Sequence, residues 1–414
     1  MAEAAPLTVA ELLVELNLEH LGPALASETP SSLRSRLAIG RPALLAHLKG
    51  VGVKSLLERQ ALAGALAKAV RAGRIVGEWS TPGAALNAVT AVVLHPPPAP
   101  SAESPSAAAH AVMTDGRRVG YREYGDPSGT PVLFFHGCGN SRHFSPCFER
   151  TNDVTAAAGA RVIAIDRPGV GTSDAHAART YGSSAADALA VADALGLGPF
   201  VALGYSSGGP CALACAAHAP EGRVLAVGLI SSDGPYAMMR REPAGTFDAP
   251  VPPACDEAEA FALAEELHTE LRSAYVSRVP DGPRRAAFLA DLDAATARGV
   301  GSMARDFILE RRDAGWGFAL IRLAPPVHIW HGDADTEVHV QSARYIAAHL
   351  DLDEVEVDPV TESGDQAAGR AAVDGAAGVL RVVRRGGHAM VRQRWGAILA
   401  ELLDAARRRS RIPL

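Results

Sequence analysis

The length, composition and charge of the chain exclude several classes of protein. The chain has 414 residues, of which 48% are hydrophobic and 21% are charged, a composition typical of folded globular proteins rather than disordered ones. Acidic residues outnumber basic ones by 46 to 40, so no nucleic-acid partner is predicted. At roughly 150 residues per domain, this length predicts two or three domains.

The predicted elements begin with a small helical domain at residues 1–75. Thr8 and Glu11 have the spacing of a capping box, and apolar residues follow at helical intervals. Further along, a helix, a Gly-Val turn and a second helix carrying Leu57 and Leu62 are predicted. This order resembles the C-terminal half of a sterile alpha motif domain. The resemblance implies a module for self-association or protein docking, and a helical extension that packs on the rest of the chain is the alternative.

Residues 76–109 are predicted to connect this module to the remainder of the chain. The stretch from His95 to Ala109, HPPPAPSAESPSAAA, is rich in proline, serine and alanine and has no hydrophobic period. Such a composition is typical of a linker. The second domain is therefore predicted to span residues 110–414.

From residue 110 onward, short β-rich runs alternate with alanine-rich helical stretches. This alternation predicts an α/β fold in which a mostly parallel sheet is covered by helices on both faces. In such sheets functional side chains gather at the carboxyl ends of the strands, so the residues after each run are candidates. The runs are RRVGYREYG, PVLFFHG, RVIAIDRPG, FVALGYSSGG, VLAVGLISS, PVHIWHG and LRVVRRGG.

A candidate nucleophile follows the fourth of these runs. Residues 204–208, GYSSG, satisfy the pattern GxSxG with Ser206 at its centre, directly before the helical stretch CALACAAHA. A tight strand-to-helix turn needs small residues two positions before and after its central residue, and the two glycines supply them. A turn centred on Ser207 would place Tyr205 at one of those positions. Ser206 is therefore predicted to be the nucleophile.

Two insertions interrupt the strand and helix pattern. Residues 236–322 carry amphipathic helical patterns, and we interpret them as a helical cap that excludes water from an apolar pocket. Residues 351–377 are rich in acidic residues, and we interpret the middle of this stretch as a solvated insertion. The cap is expected to decide much of the choice of substrate.

A candidate acid and base follow the last two runs. Serine is a weak nucleophile at its own pKa and requires a base, and His388 follows the final run. Asp335 follows the run before it, so the chain order is that of a nucleophile-elbow triad, in which the carboxylate orients the imidazole. The alternatives are Asp333 for the acid and His331 or His339 for the base.

Residues from about 110 to 414 resemble an α/β-hydrolase-fold protein. The motifs that carry the resemblance are FFHGCGNSR, DRPGVGTSD, GYSSGG, HGDADTEV and GGHAM, in the order of the family. The resemblance implies an oxyanion hole formed by the backbone N–H groups of Cys138 and Ser207. It also implies that the loop beginning at Asp166 is structural, and it leaves the Cys138 thiol as a less favoured nucleophile.

These residues predict a serine hydrolase that cleaves an ester or related acyl bond of a small, apolar substrate. The chemistry uses side chains and backbone amides, so no cofactor and no metal are predicted. One alternative is a lyase or a cofactor-free peroxidase on the same fold. Another is a ligand-sensing protein that docks a partner through the N-terminal helical domain.

The cellular location is also predicted from sequence. No apolar run reaches the roughly 18 residues that a membrane span needs, and no signal-peptide pattern is present. The cysteines form no CxxC pair, so neither a disulfide framework nor a zinc site is predicted. We therefore expect a cytoplasmic protein with reduced thiols. The cysteines are Cys138, Cys147, Cys211, Cys215 and Cys255.

Overall fold

The chain divides into two compact units, Met1–Ser104 with Pro243–Pro253 and Pro105–Glu242 with Ala254–Leu414. The computed structural model describes residues 8–16, 18–39, 41–53, 58, 59, 62, 63, 65, 66, 69, 109–320, 323–358 and 378–410. The connecting segment predicted at 76–109 lies outside the described residues except for Ala109, which begins the first strand. The domain boundaries drawn from sequence stay a prediction.

The first unit contains short helices around a leucine-rich core. Helix α1 begins with the predicted capping box, in which Thr8 Oγ1 accepts from the N–H of Glu11 at 3.1 Å and the Glu11 carboxylate accepts from the N–H of Thr8 at 2.7 Å. Buried leucines from successive helices form the core, because an isolated short helix is marginally stable without packing. The helices are α1 (Val9–Glu15), α2 (Pro30–Ile39) and α3 (Arg41–Gly50), with a 3₁₀ turn at Glu19–Leu21.

The second unit is built on a nine-stranded sheet with the order β1-β2-β4-β3-β5-β6-β7-β9-β8. Strand β2 pairs antiparallel with β1 and β4, and all other neighbouring strands are parallel. The carboxyl ends of the parallel strands therefore meet at one edge. The strands are β1 (Ala109–Val112), β2 (Arg118–Gly125), β3 (Thr130–Phe135), β4 (Ala160–Ile165), β5 (Phe200–Tyr205), β6 (Val224–Ile230), β7 (Val327–Gly332), β8 (Asp353–Val357) and β9 (Gly378–Val383).

Helices cover both faces of this sheet, as the alternating pattern predicts. One buried cluster joins the sheet to α5, α6 and α11, and a second joins the other face to α4 and α12. The central strands are buried on both sides, so their sequences are continuously apolar. The helices are α4 (Thr151–Ala157), α5 (Tyr181–Ala194), α6 (Gly209–His218), α7 (Tyr236–Met239), α8 (Glu257–Arg278), α9 (Pro283–Ala295), α10 (Gly301–Arg311), α11 (Gln341–His349) and α12 (Val391–Ser410).

Helices α7 to α10 lie between β6 and β7, within the insertion predicted at 236–322; they are called the insertion helices below. None of the described helices combines the length and apolarity that crossing a bilayer requires.

The seven β-rich runs each contain a strand, but two further strands were not predicted. Strand β8 lies at the start of the acidic stretch at 351–377, whereas the interpretation as a solvated insertion concerns the middle of that stretch. It pairs with β9, and its sequence, DEVEV, alternates exposed acidic residues with half-buried valines. Such an edge strand lacks the apolar run of a central strand. Residues 359–377 of the same stretch lie outside the described residues.

Candidate active site

Ser206 lies at the strand-to-helix turn between β5 and α6, where it opens a 3₁₀ turn. Its φ of 53° lies in the left-handed region, which a side chain adopts at an energetic cost. The positions of the flanking glycines, Gly204 and Gly208, have no room for a side chain. A Cβ at Gly204 would lie 2.4 Å from the carbonyl oxygen of Gly208, and a Cβ at Gly208 would lie 2.0 Å from that of Phe135.

His388 and Asp335 meet Ser206 at the carboxyl ends of the strands. His388 Nε2 lies 3.0 Å from Ser206 Oγ, and His388 Nδ1 lies 2.9 Å from Asp335 Oδ2. The second oxygen of Asp335 accepts from the backbone N–H groups of Glu337 at 2.9 Å and Val338 at 3.0 Å. The carboxylate is thereby held in the orientation that fixes the imidazole ring.

Asp333 and His331, the alternative acid and base on the loop after β7, do not take the places of Asp335 and His388. Asp333 is exposed, whereas Asp335 is 2% exposed. His331 is fully buried, and its Nε2 lies 2.7 Å from the carbonyl oxygen of Val338 and 3.3 Å from Asp335 Oδ2, so the ring bonds to the backbone and makes a second, longer contact with the carboxylate. Sequence reasoning did not assign this contact, although the spacing of four residues on one loop is compatible with it. Among the described histidines, only His388 lies within hydrogen-bonding distance of Ser206 Oγ.

The charges of the cluster shift the pKa values in opposite directions. Burial alone would raise the pKa of the Asp335 carboxyl, but its interactions with His388 and His331 outweigh burial and hold that pKa far below its ordinary range. Burial alone would lower the pKa of His388, but the carboxylates of Asp335 and Glu337 outweigh it and raise that pKa. The arrangement therefore stabilises an imidazolium at His388.

The loop at residues 136–141, called the HG loop below, packs against the nucleophile. A Cβ at Gly137 would lie 3.1 Å from Ser206 Cβ, so the two segments are in direct contact. Among the described residues none accepts a hydrogen bond from the N–H of Cys138. Burial raises the pKa of the Cys138 thiol well above its ordinary value. The side chain therefore stays protonated, and a thiol is less nucleophilic than a thiolate. The loop therefore offers a backbone donor rather than a thiolate.

Two buried carboxyl groups lie around the side chain of Ser207. Ser207 Oγ donates to Asp233 at 3.2 Å, and the hydroxyl of Tyr236 donates to the other oxygen of Asp233 at 2.6 Å. Burial raises the pKa values of both Asp233 and Glu310. Glu310 Oε1 is buried and has no hydrogen-bond partner among the described residues. Sequence reasoning missed both; Asp233 follows a strand, as the other site residues do, whereas Glu310 gives no local signal.

A sheet of this order, covered on both faces and carrying a serine on the turn after β5, has the architecture of the α/β hydrolases. A family model of the alpha/beta hydrolase fold matches residues 130–359, which is more than half of the chain. The chain belongs to this family, and this membership supports a hydrolase.

The chain is similar to a non-heme chloroperoxidase of Streptomyces lividans. The two are 36% identical over 126 residues, which are 30% of this chain and 44% of that protein. The match therefore spans less than half of the length of this curated relative.

Two solved structures share the fold. An esterase from Exiguobacterium antarcticum has a TM-score of 0.52 and 21% identity, with 72% of this chain and 99% of that chain covered. A hydrolase from Pseudomonas aeruginosa has a TM-score of 0.51 and 18% identity, with 73% of this chain and 99% of that chain covered. At these identities the likeness supports the fold alone.

Proposed function

We propose that the protein is a serine hydrolase that cleaves an ester or related acyl bond of a small, apolar substrate. In this proposal Ser206 is the nucleophile, His388 the base and Asp335 the residue that orients His388. The observation that carries it is the continuous chain of contacts from Ser206 Oγ to His388 Nε2 at 3.0 Å and from His388 Nδ1 to Asp335 Oδ2 at 2.9 Å. Membership of the hydrolase family supports the same class of reaction.

The reaction follows from the roles of these groups. Ser206 Oγ attacks the carbonyl carbon of the substrate while His388 Nε2 takes the hydroxyl proton, and Asp335 stabilises the imidazolium that forms. Negative charge develops on the carbonyl oxygen, where the N–H groups of Cys138 and Ser207 are proposed to donate. His388 then gives its proton to the leaving alcohol. Water attacks the acyl-enzyme by the same route and releases the acid.

The Ser206→Ala variant tests this proposal directly. We expect turnover of p-nitrophenyl esters to fall by up to roughly 10⁶-fold, since losses of this size follow removal of a triad serine. Labelling by a fluorophosphonate should disappear as well. Circular dichroism should match that of the wild type.

The matched control is Ser207→Ala, which removes the neighbouring hydroxyl and keeps the backbone N–H. This variant should still be labelled by the fluorophosphonate. Labelling that persists in Ser206→Ala and disappears in Ser207→Ala would move the nucleophile to residue 207.

A second candidate function is a cofactor-free peroxidase activity at the same serine. The similarity to a chloroperoxidase over 126 residues favours it. The test is halide oxidation by hydrogen peroxide in a carboxylate buffer, compared between the wild type and Ser206→Ala. Oxidation that exceeds ester hydrolysis and depends on Ser206 would make this the better assignment.

The remaining expectations concern parts of the chain outside this chemistry. We propose that the insertion helices act as a cap over the pocket, because their residues contact the HG loop beside Ser206. The docking role of residues 1–75, the alternative of a ligand-sensing protein and the cytoplasmic location stay predictions.

A further inference from the structure

The HG loop needs anchors outside the sheet. It follows β3 without joining the strand ladder, and its turn has one backbone hydrogen bond, from Asn140 N–H to Gly137 O at 3.2 Å. Gly139 within it has a φ of 74°, which is open to glycine and rare for other residues. A donor misplaced by about 1 Å loses most of its effect on a transition state. The position of the Cys138 N–H therefore depends on what holds the loop.

Asp291 of insertion helix α9 holds the end of this loop with three hydrogen bonds. Its Oδ1 accepts from the backbone N–H of Ser141 at 2.9 Å and from the Ser141 hydroxyl at 2.7 Å. Its Oδ2 accepts from the side-chain amide of Asn140 at 2.9 Å. Asp291 is 4% exposed and Ser141 is fully buried, so water does not compete for these bonds.

A second insertion helix holds the start of the loop through an arginine. Asp306 of α10 accepts from Arg167 Nη2 at 2.7 Å, and the same guanidinium donates to the carbonyl oxygens of His136 and Gly137, the latter at 3.2 Å. Carboxylates from two insertion helices thus fix the HG loop on both sides of Cys138.

The Asp291 carboxylate is costly to keep in this position. No described residue forms an ion pair with it within 4.0 Å, and a buried carboxylate without a paired cation opposes folding. Burial raises the pKa of Asp291 to about 7 despite its hydrogen bonds to Ser141 and Asn140. The three hydrogen bonds to Asn140 and Ser141 are thus the contacts that favour the charged form of Asp291, and they couple its position to that of the HG loop.

We propose that Asp291 is a positioning residue, whose carboxylate fixes the HG loop so that the Cys138 N–H is aimed at the oxygen that becomes negative in the transition state. The inference rests on the proposed hydrolase function. It assigns to the insertion helices a share in forming the oxyanion hole, in addition to covering the pocket.

The test is the Asp291→Asn variant, compared with Asp293→Asn as a matched control on the same helix. In Asp291→Asn the side-chain NH₂ group faces the N–H donors of Asn140 and Ser141, so one of the acceptor oxygens is lost. Asp293 is half-exposed and forms an ion pair with Arg272. With p-nitrophenyl esters we expect kcat of Asp291→Asn to fall roughly 10- to 100-fold while KM changes less than about twofold, since the oxyanion exists only in the transition state. Asp293→Asn should keep both constants.

A trifluoromethyl ketone separates positioning from general loss of structure. It forms a bond between its carbonyl carbon and Ser206 Oγ, the carbonyl electron pair moves to oxygen, and the serine proton passes to His388. The inhibition constant for this oxyanion adduct should rise in Asp291→Asn by about the same factor as kcat falls. A merely structural role would lower the amount of active enzyme and leave the inhibition constant unchanged.

The outcomes are distinct. A wild type without ester turnover or labelling at Ser206 would overturn the proposed function and this inference together. An active wild type with an Asp291→Asn variant of unchanged kcat and inhibition constant overturns this inference alone. If Asp291→Asn does not fold, Ser141→Ala removes one of the three hydrogen bonds. We expect a smaller loss in kcat in this variant, with a rise in the inhibition constant by the same smaller factor; unchanged constants overturn the inference.

Discussion

At the scale of single residues, the charges around His388 decide how the proposed base behaves with pH. Asp335 holds one ring nitrogen at 2.9 Å, and Glu337 Oε2 lies 3.8 Å from the other. Glu337 is 61% exposed, so water and salt screen its effect. Both carboxylates favour the protonated ring, while burial opposes it. The proton that His388 must lose before it can act as a base is therefore held more tightly than on a free histidine.

This balance predicts a shifted pH profile for Glu337→Gln. Because activity needs neutral His388, kcat/KM should rise with pH through a midpoint above the ordinary pKa of histidine. Removing the Glu337 charge lowers the pKa of His388, so the midpoint should move to lower pH, by less than about one unit because the group is exposed. Profiles of kcat/KM from about pH 5 to pH 10 measure this.

The control for that experiment is Glu356→Gln, which removes a similarly exposed carboxylate on β8. Its profile should overlay that of the wild type. A Glu337→Gln midpoint that stays in place or moves to higher pH would contradict the assignment of His388 as the titrating base.

At the scale of elements, α10 brings a carboxyl group into the interior where it has few partners. Glu310 is 3% exposed, and its Oε1 has no hydrogen-bond partner among the described residues. Burial raises its pKa well above the ordinary value of 4.5. The folded protein therefore retains a proton on Glu310 at pH values where the unfolded chain has lost it, and this group makes the fold less stable as pH rises above about 4.5.

Glu310→Gln should remove that dependence. Glutamine cannot ionise, so the variant should gain stability relative to the wild type between about pH 5 and pH 8, by on the order of 1 kcal/mol or more. Urea unfolding at the two pH values measures the difference. For the control Glu257→Gln, at an exposed position on α8, the difference in the free energy of unfolding from the wild type should be the same at the two pH values. If the free energy of unfolding of Glu310→Gln differs from that of the wild type by the same amount at about pH 5 and about pH 8, Glu310 is ionised in the folded protein.

Prediction from sequence succeeded for the fold class and for most strands, whereas the roles of the site residues stay predictions that rest on local chemical signatures. The turn around Ser206 can be predicted from sequence because it requires glycines at fixed positions. His388 could be selected because it follows a strand that has a recognisable apolar sequence. Asp291 and Glu310 gave no such signal. Asp291 lies two positions from exposed Asp293 on the same helix, and which face of the helix is buried depends on partners more than a hundred residues away. The burial of Asp291 and Glu310 depends on packing between distant parts of the chain, which a local sequence pattern does not show.

At the scale of the whole molecule, the second unit places residues from distant parts of the chain at one edge of its sheet. The topology brings the ends of β3, β5, β7 and β9 to one edge, so the loops that carry the HG loop, Ser206, Asp335 and His388 meet there. The fold class and seven of the nine described strands were predictable: six of the seven are central strands with largely apolar sequences, and β2 carries aromatic and β-branched residues between turn residues. Strand β8 was not, since an edge strand can be mostly charged.

That charged strand has a consequence for the behaviour of the protein in concentrated solution. Strand β8 ends the sheet and, among the described strands, pairs with β9 alone, so one row of its backbone donors and acceptors faces outward. Such a row can recruit a strand from another molecule and start aggregation. The acidic side chains Asp353, Glu354 and Glu356 are exposed along β8, and charged side chains on an edge strand disfavour such pairing. The acidic residues that made β8 hard to predict from sequence thus also disfavour association of two molecules through this edge.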